Sequence, residues 1–312
     1  MTQKIFDCVI LGAGPAGMNA ALYCARANLD CALVDISAIG GAPMNYLEIE
    51  NYLGFNKINT FDLCEKFEQH IDNFNIQKYP YCEIEKIDLT KDIKKIKTTE
   101  KEFLAKSIII ATGASPKKLD IKGEEEARGK GVSYCAICDG NFYKDKIVCV
   151  VGGGNSALEE AIYLSNIAKK VYLIHRRNEF RADKILQERI KQIENVEFVL
   201  NAQCKEILLD NKVYGLKIEQ NGIEKIIETD GIFPYIGLSA NIDYFHSQLE
   251  LTPDGFILTD ENMKTNLDGV YAIGDIRNTP LRQVITAVSD GAIAGVNVSK
   301  YVLNSEKIEI KK

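Results

Sequence analysis

Two stretches of this chain, 140 residues apart, carry the same residue pattern, and that repeat constrains the fold more than any other feature. From Phe6 to Asp35 the sequence reads as an apolar strand (Cys-Val-Ile-Leu), a glycine turn (Gly12-Ala-Gly14-Pro15-Ala16-Gly17), an alanine-rich helix and a second apolar strand ending in Asp35. The second copy reads Ile-Val-Cys-Val-Val, then Gly152-Gly-Gly154-Asn155-Ser156-Ala157, a helical stretch, and Val-Tyr-Leu-Ile-His175. Each is a βαβ unit by its run lengths and glycine punctuation. Gly12, Gly14, Gly17 and Asp35 fall opposite Gly152, Gly154, Ala157 and His175. The repeat predicts an α/β protein of two halves, and 312 residues suit two domains, each with its own core.

A G-x-G-x-x-G turn alone says little, because tight strand-to-helix turns use glycine for structural reasons. Here both copies follow an apolar strand and open a helix, where bare backbone N–H groups and the helix dipole hold a pyrophosphate. The ends of the second strands then separate two ligands. Asp35, 18 residues past Gly17, is placed to accept hydrogen bonds from ribose hydroxyls, and its charge repels a 2′-phosphate. His175-Arg176-Arg177, with Arg181 four residues on, offers three guanidiniums that suit a 2′-phosphate. The plainer alternative is a solvated basic turn.

The rest of the chain fits around these units. Ser107 to Gly113 and Gly231 to Gly237 are apolar strands ending in glycine turns, each expected to close its domain. Gln77 to Lys106 and Val196 to Glu228 mix short alternating runs with turn residues and suggest small β-meanders. Gly269-Val-Tyr-Ala-Ile-Gly274-Asp275 is a further strand with a carboxylate at its exit. It belongs to neither repeat, so the first domain is expected to be discontinuous, interrupted by the second.

A net charge of -6 argues against a general nucleic-acid surface. No apolar run approaches the ~20 residues of a membrane helix, and the N-terminus passes from Lys4 into a strand without a signal-peptide pattern, so a cytosolic location is expected.

Nine cysteines, an odd number scattered along the chain, do not form the framework of a small secreted domain. Cys8, Cys31 and Cys149 lie in apolar strands and read as small buried hydrophobes. Only Cys135 and Cys138, in Cys-Ala-Ile-Cys-Asp-Gly, have tight spacing. That spacing closes a small disulfide ring, and Asp139 follows directly as a candidate proton carrier. Half of a zinc site is the first rival, but there is no second C-x-x-C and only His70, His175 and His246. A pair of quiet thiols is the second. Two dinucleotide units flanking the pair favour redox chemistry, and no metal is expected.

With Gly-Ala-Gly-Pro-Ala-Gly, Ala111-Thr112-Gly113-Ala, Cys-Ala-Ile-Cys-Asp-Gly, Gly-Gly-Gly-Asn-Ser-Ala, His-Arg-Arg-x-x-x-Arg, Ala-Ile-Gly-Asp and Arg282-Gln283-Val284-Ile-Thr-Ala in order along its whole length, the chain resembles the bacterial-type, low-molecular-weight thioredoxin reductases. The resemblance implies two Rossmann-like domains of the three-layer ββα type. An FAD domain, 1–114 and 241–312, would be interrupted by an NADPH domain, 115–240, that carries the cysteine pair. It implies a homodimer that reduces thioredoxin. It puts Asp275, with Gly274, on the ribityl and phosphate part of the flavin, and Arg282, Gln283 and Val284 beside the flavin. Asn51 matches a flavin-side position, Ala111 to Gly113 join the cofactor-binding set, and Cys138 becomes the flavin-side sulfur. Hinges are implied near Gly113 to Pro116 and Gly237 to Asn241. Two departures stand out. Ala42 replaces the usual Gln after Gly40-Gly41, and Ile-Gly-Leu-Ser-Ala-Asn241 replaces Ile-Gly-His-x-Pro-Asn.

The resulting expectation is electron flow from NADPH to FAD to the cysteine pair to thioredoxin. Rivals are a flavin-dependent dithiol oxidase or disulfide reductase for a small molecule, a ferredoxin/flavodoxin–NADP reductase, which has no use for the cysteine pair, and a redox sensor without turnover.

Overall fold

The computed structural model describes residues 3–46, 48–245 and 247–309; His246, one of the three histidines, lies outside them. The chain divides into two compact units, Met1–Ser115 with Ser239–Lys312, and Pro116–Leu238. Each holds one copy of the repeat, built on a parallel sheet.

In the first unit the parallel strands run Gln77–Tyr79, Cys31–Val34, Ile5–Leu11 and Glu102–Ile110. Cys8, Val9, Ile10 and Leu11 are all buried, as a central strand covered on both faces requires. Successive side chains divide between two cores. Cys8 and Ile10 join the helical layer, while Val9 and Leu11 join Ile84, Ile87, Ile96 and Phe103 of an antiparallel meander. The strand Glu102–Ile110 has divided loyalties. Its first half pairs antiparallel with Lys94–Thr98, and its second half pairs parallel with Val270–Ala272, Val270 opposite Ile108. It is therefore an internal strand and not the closing strand expected; Val270–Ala272 lies outside it.

Helix Pro15–Arg26 starts on a proline, whose missing N–H costs nothing at a helix start. Gly17 lets it lie close to the sheet, because a Cβ there would fall 1.8 Å from the Gly12 carbonyl oxygen. The helix Val284–Glu309 crosses it through glycines. A Cβ at Gly291 would meet the Ala16 carbonyl oxygen at 2.4 Å, and one at Gly295 would meet Tyr23 Cβ at 2.6 Å.

The second unit repeats the plan with strands Val196–Leu200, Lys170–His175, Ile147–Gly152 and Gly231–Tyr235, all parallel. Val148 and Val150 face helices Asn155–Ser165 and Lys184–Lys191, and Cys149 and Val151 face the antiparallel meander Ala202–Leu209, Val213–Gln220, Ile223–Glu228. Gly231–Tyr235 lies at the sheet edge. Both expected meanders surrender their first strand, Gln77–Tyr79 and Val196–Leu200, to the parallel sheets, where apolar neighbours from the βαβ units pair with them.

Candidate active site

In the first glycine turn Gly12 has φ +109°, and a Cβ there would strike the Ala111 carbonyl oxygen at 2.2 Å, so Ala111 and the turn lie against one another. Helix Pro15–Arg26 has no side-chain cap, which leaves its first N–H groups available to an anion. Asp35 reaches back to this turn. One carboxylate oxygen accepts the Ala13 N–H, and the other accepts the N–H and hydroxyl of Ser37 at 2.7 and 2.9 Å. Gly41 packs on Gly14, where a Cβ would meet Gly14 Cα at 2.7 Å. Ala42 follows it, exposed.

Gly274 joins a second group of candidates to that turn: at φ +72° its Cβ would lie 3.1 Å from Ala16 Cβ and 3.8 Å from Ala287 Cβ. Asp275 follows. Burial pushes its carboxyl up from the ordinary range, against the pull of the Arg282 guanidinium and with a push from Asp290. Arg282 donates to the carbonyls of Asp275 and Arg277 and lies over the Phe256 ring, 3.9 Å from its centroid. Asn51 donates to Gln283 Oε1 at 2.9 Å, linking residues 232 positions apart. Val284 opens the long helix that packs on Pro15–Arg26. Thr112 and Gly113 turn elsewhere, to Asn241: the Asn241 amide donates to the Thr112 carbonyl at 2.9 Å and its N–H to the Gly113 carbonyl.

The second glycine turn is closed by its own loop. Arg181 and Ala182 donate N–H groups to the Gly153 carbonyl, and Asn155 exchanges two 2.8 Å bonds with Asp183. Helix Asn155–Ser165 also lacks a side-chain cap, and a Cβ at Gly154 would meet nothing within 4 Å. Gly152 and Ala157 are buried, the latter packed against the strand exit; Ser156 is half-buried in the first turn. Arg176, Arg177 and Arg181 are exposed, and none is ion-paired among the described residues. His175 is buried against Gly153 and Phe180. Burial lowers its pKa, a hydrogen bond with the Glu179 backbone works the other way, and the three arginines lower it further. The two turns fit dinucleotides by these observations: uncapped helix starts, glycines where a ligand can approach, a carboxylate at one strand end and unpaired guanidiniums at the other.

Cys135 and Cys138 are bonded to each other, S–S 2.08 Å, which makes them a disulfide and not two metal ligands or two separate thiols. Cys135 caps the short helix Ala136–Asp139, and the Cys138 N–H points at its Sγ at 3.2 Å. The turn is held by Ser133, which accepts the Cys135 N–H, and by Tyr235, whose hydroxyl accepts the Ala136 N–H at 3.0 Å. Cys138 is exposed, while Cys135 and Asp139 are half-buried. The other seven cysteines are free. Cys8, Cys31 and Cys149 are fully buried, and burial pushes Cys31 and Cys149 up to about 12, away from reactivity.

Three residues that matter here escape sequence reasoning. Asp290 accepts the Gly274 N–H at 3.0 Å and pairs with Arg277 at 3.2 Å, both side chains about 10% exposed. Nothing in the sequence links them, since the helix start intervenes. Asn241 is legible as the end of a hinge motif, but its bonds to the carbonyls of Thr112 and Gly113 are not. Glu160 did leave a signal: an acid on the apolar helical face of Ala157, Leu158, Ala161 and Leu164.

A glycine turn of dinucleotide type in each of two units, with a disulfide in one of them, defines a nucleotide-dependent disulfide oxidoreductase. Residues 6–291 match the family described as pyridine nucleotide-disulphide oxidoreductase. The chain is 46% identical over 304 residues to the thioredoxin reductase of Listeria monocytogenes, covering 96% of this chain and 95% of that one. It is 43% identical over 303 residues to that of Bacillus subtilis, with 96% of each covered. Lactococcus lactis thioredoxin reductase superposes with TM-score 0.93 at 39% identity, over 96% of this chain and 99% of that one. A ferredoxin-flavin thioredoxin reductase from Clostridium acetobutylicum gives TM-score 0.52 at 33% identity, over 96% and 98%. The chain belongs to the thioredoxin reductases of the pyridine nucleotide-disulphide oxidoreductase family. It is an oxidoreductase that works with a flavin and a pyridine nucleotide.

Proposed function

We propose that this enzyme passes electrons from NADPH through FAD to the Cys135–Cys138 disulfide and from there to thioredoxin. The observation that carries this reading is the disulfide itself, with Cys138 exposed, in the unit whose glycine turn ends in unpaired arginines. The first unit, with Asp35 at its strand end, is the FAD domain; the second binds NADPH. FAD supplies the conversion of a hydride into an electron pair able to open a disulfide. The chain's own residues bind and orient. N–H groups at the starts of helices Pro15–Arg26 and Asn155–Ser165 receive pyrophosphates, Asp35 keeps its remaining lone pairs for ribose hydroxyls, and Arg176, Arg177 and Arg181 receive the 2′-phosphate. Asp275 and Arg282, with the Asn51–Gln283 pair, line the flavin side.

The Cys138 N–H, 3.2 Å from Cys135 Sγ in the disulfide, supports Cys135 as the sulfur that attacks thioredoxin, with Cys138 as the sulfur that faces the flavin. Asp139, next in sequence, remains a candidate to carry protons between the dithiol and its surroundings when thioredoxin is reduced. The guanidinium cluster favours a pyridine nucleotide over a protein donor such as ferredoxin. Seven free thiols beside one disulfide suit a reducing cytosol, and a homodimer completes the proposal. The test is Cys138→Ser. Turnover with thioredoxin disappears while NADPH still bleaches the flavin; full turnover in the variant would overturn the scheme.

A further inference from the structure

Helix Asn155–Ser165 carries a carboxyl group that nucleotide binding does not use. Glu160 is 3% exposed, and its Oε2 meets no hydrogen-bond partner among the described residues. An ionised carboxylate so placed loses its hydration without replacement. Burial, with a smaller push from Glu159, raises the carboxyl from 4.5 to about 8, so it carries a proton at neutral pH.

Geometry puts this acid beneath the disulfide turn. Gly140 lies two residues past Cys138, and a Cβ built on it would sit 3.2 Å from both Tyr163 Cε1 and Leu164 Cδ2. At about 100° per residue, Glu160 projects between the directions of Tyr163 and Leu164, one turn nearer the helix start. Ala136, inside the disulfide ring, shares a buried cluster with Ala157, Ala161 and Leu164. The segment Cys135–Gly140 therefore covers the helix face that Glu160 occupies. Glu159 adjoins Glu160 on the same helix and pushes its carboxyl up, Asp139 lies on the covering segment, and the hydroxyl-bearing rings packed on the same cluster are Tyr163 of the helix, Tyr143 just past the covering segment and Tyr235 from the sheet edge. Helix Lys184–Lys191 contributes Leu186 and Ile190 to the same cluster.

We propose that Glu160 is the proton-relay residue of the Cys135–Cys138 pair, its carboxyl giving up the proton that the opening disulfide needs. The proposal rests on the disulfide-reductase reading. Opening the S–S bond takes two electrons and two protons. A hydride equivalent brings both electrons and one proton; the Glu160 carboxyl gives the second to the departing thiolate and is reprotonated from water. When the dithiol reduces a substrate disulfide, both protons leave with the product. Each turn thus consumes one proton from solvent, and it enters through Glu160.

The experiment uses the full chain and dithiothreitol, which opens the disulfide without nucleotide or thioredoxin. The opening rate is followed by maleimide trapping and mass measurement in wild type and Glu160→Gln from pH 6 to 9. The wild-type rate exceeds that of the variant about tenfold or more at pH 7, a modest share of general-acid effects. The ratio falls toward one by pH 9, where the wild-type carboxyl is ionised. A ratio of one throughout, or one that does not change with pH as a purely structural role would give, overturns the proposal. Glu160→Ala gives the same contrast if the glutamine variant fails to fold. A pH-dependent ratio in a protein that does not reduce thioredoxin would instead overturn the functional reading and leave Glu160 in place.

Discussion

Removing the charge at Glu160 should make the unit Pro116–Leu238 more resistant to unfolding as pH rises. A solvated glutamate titrates at 4.5 and Glu160 at about 8 in the folded chain. Between those values the folded state holds a proton that the unfolded state has lost, so the group's contribution is full below pH 4.5 and is lost as pH rises through 8. At ~1.4 kcal/mol for each pH unit, wild type loses about 5 kcal/mol over this window, of which about 3 kcal/mol is gone by pH 7. Glutamine has the same shape and no charge to lose. Urea unfolding of the full chain, with hydrogen exchange reporting on residues 116–238, should therefore show the stability difference between Glu160→Gln and wild type growing by about 5 kcal/mol from pH 4.5 to 8. A difference that stays constant with pH would refute the claim that burial keeps this carboxyl protonated.

Two further outcomes probe the nucleotide sites. Neutralising Arg176, Arg177 and Arg181 together should raise the apparent Michaelis constant for NADPH on the order of tenfold or more while leaving that for NADH nearly unchanged, because three charge-assisted contacts to a 2′-phosphate are lost; equal effects on the two would make the cluster a solvated face. Asp290→Asn keeps an acceptor for the Gly274 N–H but leaves the buried Arg277 guanidinium without its counter-charge. It should cost about 3 kcal/mol in thermal unfolding and increase flavin loss on gel filtration, and an unchanged melting curve would show that Asp290 does not support this loop.

The fold class was legible in the sequence because it is written locally. Apolar runs, glycine turns and helix-length segments recur at one offset, and each βαβ unit brings its own strands together. Pairing across long separations was not legible: nothing near Glu102 announces that its strand will split between Lys94–Thr98 and Val270–Ala272. The site divides the same way. Cys135 and Cys138 stood out by spacing, and their bond is present. The place of Asp35 at its strand end marks it for ribose hydroxyls, yet much of its carboxylate already holds Ala13 and Ser37, a cost that only the folded turn reveals. The Asp290–Arg277 pair spans a loop and a helix start, so no periodicity marks it. Glu160 was marked, as a charge in an apolar helical stripe, but its meaning depends on the disulfide turn that covers it.

The central claim is electron flow from NADPH through this chain's disulfide to thioredoxin. Its most direct test is NADPH consumption by the flavin-loaded protein with and without the thioredoxin of the same organism. Rapid consumption that requires oxidised thioredoxin, disappears in Cys138→Ser and is far slower with NADH is the predicted result. Thioredoxin reduction driven by reduced ferredoxin but not by NADPH, or NADPH consumption indifferent to thioredoxin, would contradict it.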